Sequence, residues 1–346
     1  MGDRMSIVKA FYIQPDDLMR MSWFALVAFL VAIVLTPILT RFLYKNKIAK
    51  RIRASADAPI YSALHQKKDG TPTMGGLLIW ITVAILTILF NLSRSATWLP
   101  LFCLVATGIV GAIDDLWNVR GIGEKGGGLS IKQKFPVYAV IAAVGAWWFY
   151  SKLGWNIIHI PAVGDFTIGA WYIPLFIAVL VWIAFASNET DGLDGLAGGI
   201  FALCYSAYAI IALTQGRIGL AVFCATVVGA LFSFLWFNIP PARFFMGDTG
   251  SMSLGMTLGV VAFLTNSVIA FFVITAVFSI EGLSFIIQFL SKKIRKKKVF
   301  LSSPLHHHFE AIGWPEYKIT MRFWIISAVF TVAGMALALI GRGTLS

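Results

Sequence analysis

The sequence predicts an all-α polytopic membrane protein of about ten transmembrane helices, and three observations predict it. Of its 346 residues, 58% are hydrophobic and only 13% charged, where soluble domains carry about 25% charged residues. Apolar stretches close to the roughly 20 residues that a bilayer core demands recur over residues 21–40, 74–92, 98–113, 135–151, 171–187, 196–214, 217–237, 250–265, 267–290 and 322–341. With loops assigned alternately to two sides, 21 of the 28 Lys and Arg fall on one side, that of residues 41–73, 114–134, 187–195, 238–249 and 291–322.

The first stretch is too long for a signal-peptide core and no small-residue cleavage site follows it, so it reads as a retained span. The preceding MGDRMS matches a myristoylation pattern only at chance-level spacing. Within the ninth stretch, Glu281-Gly282 couples an acid to a helix-weakening glycine, and the helix is expected to bend or break there. The long loop 152–170 contains NIIHIPAVGDFTIG, which reads as a small outer-face hairpin, with His159 in a structural role. Cys103, Cys204 and Cys224 are odd in number and lie inside apolar spans, against a disulfide framework or a zinc site. No internal repeat or low-complexity tract divides the chain, so residues 1–346 read as one integral domain.

By the positive-inside rule the cation-rich side is cytoplasmic, which leaves both termini outside. The same assignment puts three acidic clusters on the cytoplasmic face: Asp114-Asp115, residues 187–199 (SNETDGLDGLAGG) and residues 245–251 (FMGDTGS). A carboxylate at the bilayer centre costs roughly 2.5–3.5 kcal/mol, so burying five of them in lipid would cost on the order of 12 kcal/mol. Asp114, Asp115, Asp191, Asp194 and Asp248 are therefore expected together at the water interface.

Each cytoplasmic loop offers a chemical reading beside a structural one. The basic run Arg41, Lys45, Lys47, Lys50, Arg51 and Arg53 is foremost an orientation signal beside anionic headgroups. In GTPTMGG, Lys68, Thr73 and the N–H groups at Gly75-Gly76 suit an anion, or the glycines serve tight helix packing. Adjacent Asp114 and Asp115 repel, which suits one of them to proton transfer or metal binding. GEKGGG (123–128) lacks P-loop spacing and reads as a flexible turn. Asn188, Asp191 and Asp194 exceed what capping the next helix requires, and a spacing of three puts the two acids on one side of a helical turn. Phe244-Phe245 beside Asp248 suits a nucleobase next to a metal-bound phosphate, or anchors the chain at the interface. His306, His307 and His308, following KKIRKKK, cannot all face one ligand on a regular element, so hydrogen bonding to phosphate or sugar oxygens is preferred to zinc.

TPTMGG, Asp114-Asp115, NETDGLDGLAGG, FMGDTGS and PLHHHFEAIGWPE, in this order on one face, resemble the phospho-N-acetylmuramoyl-pentapeptide transferase family. It belongs to the superfamily of polyprenyl-phosphate N-acetylhexosamine-1-phosphate transferases. The match runs from about Leu64 to Ser327, and the triple-histidine segment separates it from the related sugar-phosphate transferases. The resemblance implies a magnesium-dependent reaction of UDP-MurNAc-pentapeptide with undecaprenyl phosphate, giving lipid I and UMP. It further implies ten helices in the bacterial inner membrane, a cytoplasmic active site, a broken ninth helix beside a lipid groove and a homodimer, with no nucleic-acid partner.

Carried over by position, Asp114 is the base toward the lipid phosphate, Asp115 its partner near the metal, and Asp248 the magnesium ligand. Lys68 and Thr73 contact the diphosphate or nucleoside, while Asn188, Asp191, Asp194 and Asn238 line the nucleotide pocket. Phe245 stacks on uracil, and His306, His307 and His308 shape the sugar-phosphate end. One departure stands out: Glu189 lies where the family usually has leucine. Two rivals are a superfamily transferase using UDP-GlcNAc, which leaves PLHHHFE unexplained, and a transporter, which needs ionisable residues along its spans where only Glu281 qualifies.

Overall fold

The computed structural model describes residues 13–49, 68, 70–123 and 127–340. MGDRMS, the cations Lys50, Arg51 and Arg53, and residues 124–126 of the GEKGGG turn lie outside these residues.

Helices occupy all ten apolar stretches. They are α1 (Pro15–Lys45), α2 (Gly76–Phe90), α3 (Trp98–Arg120), α4 (Ile131–Trp147, ending in a wide turn over Trp148–Lys152), α5 (Tyr172–Thr190), α6 (Leu196–Thr214), α7 (Ile218–Asn238), α8 (Asp248–Leu264), the pair α9 (Val268–Ile274) and α10 (Ala276–Ile294), and α12 (Glu316–Leu339). A short helix, α11 (Leu305–Ala311), carries the histidines. Six of these, α1, α3, α5, α6, α7 and α12, are long and apolar enough to cross a membrane, and α9 with α10 makes a seventh if counted as one span. The protein is thus a multi-pass membrane protein. By length and hydropathy alone it has six or seven span candidates, fewer than the ten expected, because α2 has 15 residues, α8 has 17, and α4 opens with Lys132 and Lys134.

The reason for the short α8 is its position. Every residue from Thr249 to Leu264 is buried, enclosed by α2, α3, α5 and α6, so it need not match the thickness of the lipid. Close approach to it depends on absent side chains. A Cβ on Gly76 would stand 2.2 Å from the Gly250 Cα, and one on Gly111 2.5 Å from the Asp248 carbonyl oxygen. At its far end Phe263 packs on Phe176 and Tyr172 with ring centroids 4.6 and 5.3 Å apart, leaving the N-terminal end for polar groups. On the periphery, α1 lies along α7, where a Cβ on Gly229 would meet the Ala25 carbonyl oxygen at 2.0 Å.

The ninth stretch is broken, but not where Glu281-Gly282 was expected to break it. The chain turns by 74° between α9 and α10, at Thr275, whose hydroxyl donates to the Phe271 carbonyl at 2.7 Å. The same back-bond occurs at Thr82 and Thr226 inside unbroken helices, and what marks the break is the Cys204 thiol, which donates to the Ile274 carbonyl at 3.4 Å. Glu281 sits inside α10, fully buried and bonded to His306. Its neighbour Gly282 serves packing instead, lying against Ala186 of α5.

The segment 152–170 contains a hairpin: β1 (Ile157–Ile160) pairs antiparallel with β2 (Gly164–Thr167) in a register that sets His159 opposite Asp165. The His159 ring nitrogen lies 2.7 Å from the Asp165 carboxylate, and the His159 backbone N–H donates to the Asn266 side-chain oxygen. That is a structural role. The three cysteines are buried and unpaired.

Candidate active site

The three acidic clusters meet at the N-terminus of α8. Asp115, on α3, accepts the N–H groups of Asp248 and Thr249 at 3.2 and 3.1 Å, so it caps a helix end whose free N–H groups carry partial positive charge. Asp191 accepts the Gly247 N–H at 3.1 Å. Gly247 has φ 75°, and a Cβ there would meet the Asp115 carboxylate at 2.4 Å, so only glycine lets the cap form.

Asp248 then projects between two partners. Its Oδ1 accepts from the Asn188 amide at 2.7 Å, and its Oδ2 lies 2.6 Å from the Lys134 ammonium. Lys134 is also 2.6 Å from Asp114, whose other oxygen takes the Leu129 N–H. Sequence reasoning missed Lys134. One more cation at the start of an apolar helix is indistinguishable from the orientation signal, and its place between two carboxylates follows from the fold. Gln133 accepts the Ser130 N–H at 3.0 Å, fixing the first turn of α4 and so the point from which Lys134 reaches.

At the other end, the 190s loop is turned rather than helical. Asp191 and Asp194 therefore diverge instead of sharing one side of a helix. Asp194 is buried and gives one oxygen to Lys68 at 2.7 Å and the other to the Ala242 N–H at 3.0 Å. Lys68 also reaches Glu316 at 2.5 Å. Burial alone would lower the Lys68 pKa, but Asp194 and Glu316 outweigh it and hold the ammonium above the ordinary lysine value. Asn238 is buried and works as a latch, accepting the Gly195 N–H and donating to the Phe244 carbonyl, both at 2.9 Å. The phenylalanine pair splits: Phe244 is in the core against Phe234, while Phe245 faces the cleft with Lys68 5.8 Å from its ring centre.

In GTPTMGG the packing reading is the one realised. The Gly75 and Gly76 N–H groups already donate to the Phe245 and Met246 carbonyls, each at 2.8 Å, so they are not free for an anion. Thr73 is buried at the cleft wall.

The histidines point three ways. His306 is fully buried, its ring 2.9 Å from Glu281, and its backbone N–H donates to the same carboxylate. His307 lines the cleft and pairs with Glu310 at 2.6 Å, whereas His308 accepts the Leu301 N–H at 3.3 Å beside Phe300.

Many of these groups line a polar cleft of about 330 Å³: Lys68 with Phe245, Asp115 with Asn188 and Asp248, and Ser302, Ser303 and His307. Glu189 is in the same wall. Asp114, Lys134, Asp194, His306 and His308 are not among the lining residues. Among the described residues no group of three or more His, Cys, Asp or Glu side chains converges as a metal cage. A cleft lined by Lys68 and several carboxylates, with the Lys134 ammonium paired to Asp248, is suited to a phosphate-bearing substrate whose charge must be offset as it reacts.

Comparison with known proteins agrees with this arrangement. Residues 97–266 match the model of glycosyl transferase family 4, and residues 68–79 match phospho-N-acetylmuramoyl-pentapeptide-transferase signature 1. The chain is 40% identical to a protein of that name from Chloroflexus aggregans over 97% of this chain and 94% of the relative. It is 40% identical to one from Geobacillus thermodenitrificans, covering 89% and 95% of the two chains, and 36% identical to one from Levilactobacillus brevis over the same shares.

Proposed function

Because the chain belongs to the phospho-N-acetylmuramoyl-pentapeptide-transferase family, we propose that it transfers phospho-MurNAc-pentapeptide from UDP-MurNAc-pentapeptide to undecaprenyl phosphate, giving lipid I and UMP. The observation that carries this reading is Asp248 at the buried N-terminus of α8, held between Lys134 and Asn188 at the end of lipid-bounded helices. A membrane-embedded acceptor explains why such a polar cleft is built on apolar helices. The donor nucleoside lies at the end formed by Phe245, Thr73 and Lys68, and the diphosphate runs toward Lys134. Asp114 takes the proton from the lipid phosphate as it attacks, and Lys134 balances the charge that remains. His307 meets the sugar-phosphate end.

What supports magnesium here is the donor set. Asp248 and Asp115 offer carboxylate oxygens to the cleft, and magnesium is commonly held by one or two carboxylates with water and substrate phosphates completing its shell. When bound it would neutralise diphosphate charge and favour departure of UMP. The same reading places ten helices in the inner membrane, the cleft on the cytoplasmic face, and the protein in a homodimer.

Two measurements test this. Purified protein with undecaprenyl phosphate is expected to release UMP from UDP-MurNAc-pentapeptide and not from UDP-GlcNAc; release from UDP-GlcNAc alone would reject the assigned substrate. For topology, single cysteines at Gly127 and Gly154 are expected to label from opposite sides of the membrane with an impermeant thiol reagent. Labelling from one side only would reject the ten-helix arrangement.

A further inference from the structure

The start of α12 lies six residues before the apolar stretch that was read as the last span, and those extra residues reach the cleft. Glu316, Thr320 and Trp324 recur every four residues and so share one helix face. All three grip the loop between α5 and α6. The Glu316 Oε1 accepts the Asp194 N–H at 2.6 Å, the Thr320 hydroxyl donates to the Asp194 carbonyl at 3.2 Å, and the Trp324 indole N–H donates to the Gly195 carbonyl at 3.2 Å. A Cβ on Gly199 would stand 2.1 Å from the Trp324 ring, so the indole occupies the space that glycine leaves. The same Glu316 oxygen is 2.5 Å from the Lys68 ammonium. One carboxylate thus ties a loop backbone and a cation that border one end of the cleft, and Gly192 and Leu193 just before the tie line it as well.

We infer that Glu316, with Thr320 and Trp324 behind it, positions the nucleoside end of the cleft: the α12 face sets the backbone of residues 192–195 and holds Lys68 over Phe245, ready for a uridine nucleotide. This rests on the proposed function, since the ligand at that end is the donor's nucleotide. Glu316 acts through Asp194 and Lys68 and does not touch the substrate. The effect is expected on one substrate, because these contacts go to Lys68, Asp194 and Gly195 and not to Lys134 or Asp114, where the lipid phosphate reacts.

The test is Glu316→Gln, which keeps the acceptor oxygen for the Asp194 N–H and removes the charge facing Lys68. With the charge that holds Lys68 gone, the donor KM and the Kd for UMP should each rise about tenfold. KM for undecaprenyl phosphate should not change, and kcat should stay within about threefold. Lys68 would also lose one of the two carboxylates that raise its pKa. It would then shed its proton at lower pH, and the alkaline limb of UMP binding should move to lower pH than in the unaltered protein. Thr320→Val, which removes a neutral contact, should raise the same two constants about threefold. Should Glu316→Gln fail to fold, Thr320→Val decides alone.

Unchanged donor KM and UMP affinity in folded variants would overturn the inference. An equal rise in KM for both substrates, the mark of a general loosening, would overturn it too. If the unaltered protein binds UMP but releases none from any UDP-sugar, while the variants bind UMP more weakly, the positioning role stands and the proposed reaction falls.

Discussion

Asp248→Asn is expected to lower the rate of UMP release by on the order of a hundredfold or more, with folding and membrane insertion kept. The substitution conserves shape and nearly all volume, and the position tolerates either residue as the start of a helix. What changes is the match to two donors. Asp248 accepts from Asn188 on one oxygen and from Lys134 on the other, whereas an asparagine amide must turn its NH₂ toward one of them. It also withdraws a carboxylate from any cation in the cleft. The comparison is UMP release and its magnesium dependence in both proteins at equal folded amounts. Near-normal turnover with an unchanged magnesium curve would show that Asp248 only forms the turn, and the metal assignment would have to move to Asp115 and Asp114.

Lys134→Met is expected to be as damaging to turnover and, unlike Asp248→Asn, to lower stability as well. The ammonium lies 2.6 Å from both Asp114 and Asp248. Asp114 is almost fully buried, while the lysine and Asp248 retain some solvent contact. Removing one partner of a fully buried ion pair costs about 3–5 kcal/mol because the other charge is left uncompensated, and partial solvent contact here puts the expectation at the lower end. Methionine fills most of the volume, so the loss reports charge rather than a cavity. Thermal unfolding in detergent and UMP release measure the two effects separately. A protein as stable as the unaltered one, with turnover within a few-fold of it, would remove Lys134 from both roles. High magnesium that restores stability without turnover would indicate that a metal ion takes the lysine's electrostatic place but not its chemical one.

The residues differ in how far they could be read in advance. Asp115, Asn188, Asp191 and Asp248 stand where apolar runs begin or end, where a polar group is costly unless it has water or a partner, and that cost announces them. Lys134 and Glu316 carry no such signal. A lysine before an apolar helix is what membrane orientation requires anyway, and an acid at the first position of a helix is what the helix dipole favours. Glu281 announces itself by its cost but not its consequence: the acid is paired with His306 inside α10, and the chain turns six residues earlier, at Thr275.

By itself the sequence determined a helical membrane protein, the place of each apolar stretch, a cation-rich side, and three acidic clusters that had to share a polar site. These follow from transfer energies that act residue by residue and need no neighbours. The tertiary structure alone decided which acid caps α8, which oxygen meets Lys134, that the Gly75 and Gly76 N–H groups are spent on carbonyls, and that Phe244 is buried while Phe245 faces the cleft. It also decided that α12 begins early enough for Glu316 to reach Lys68. Such pairings depend on how helices from distant parts of the chain approach one another, and that approach is set by close contacts such as Gly76 on Gly250, which hydropathy does not record.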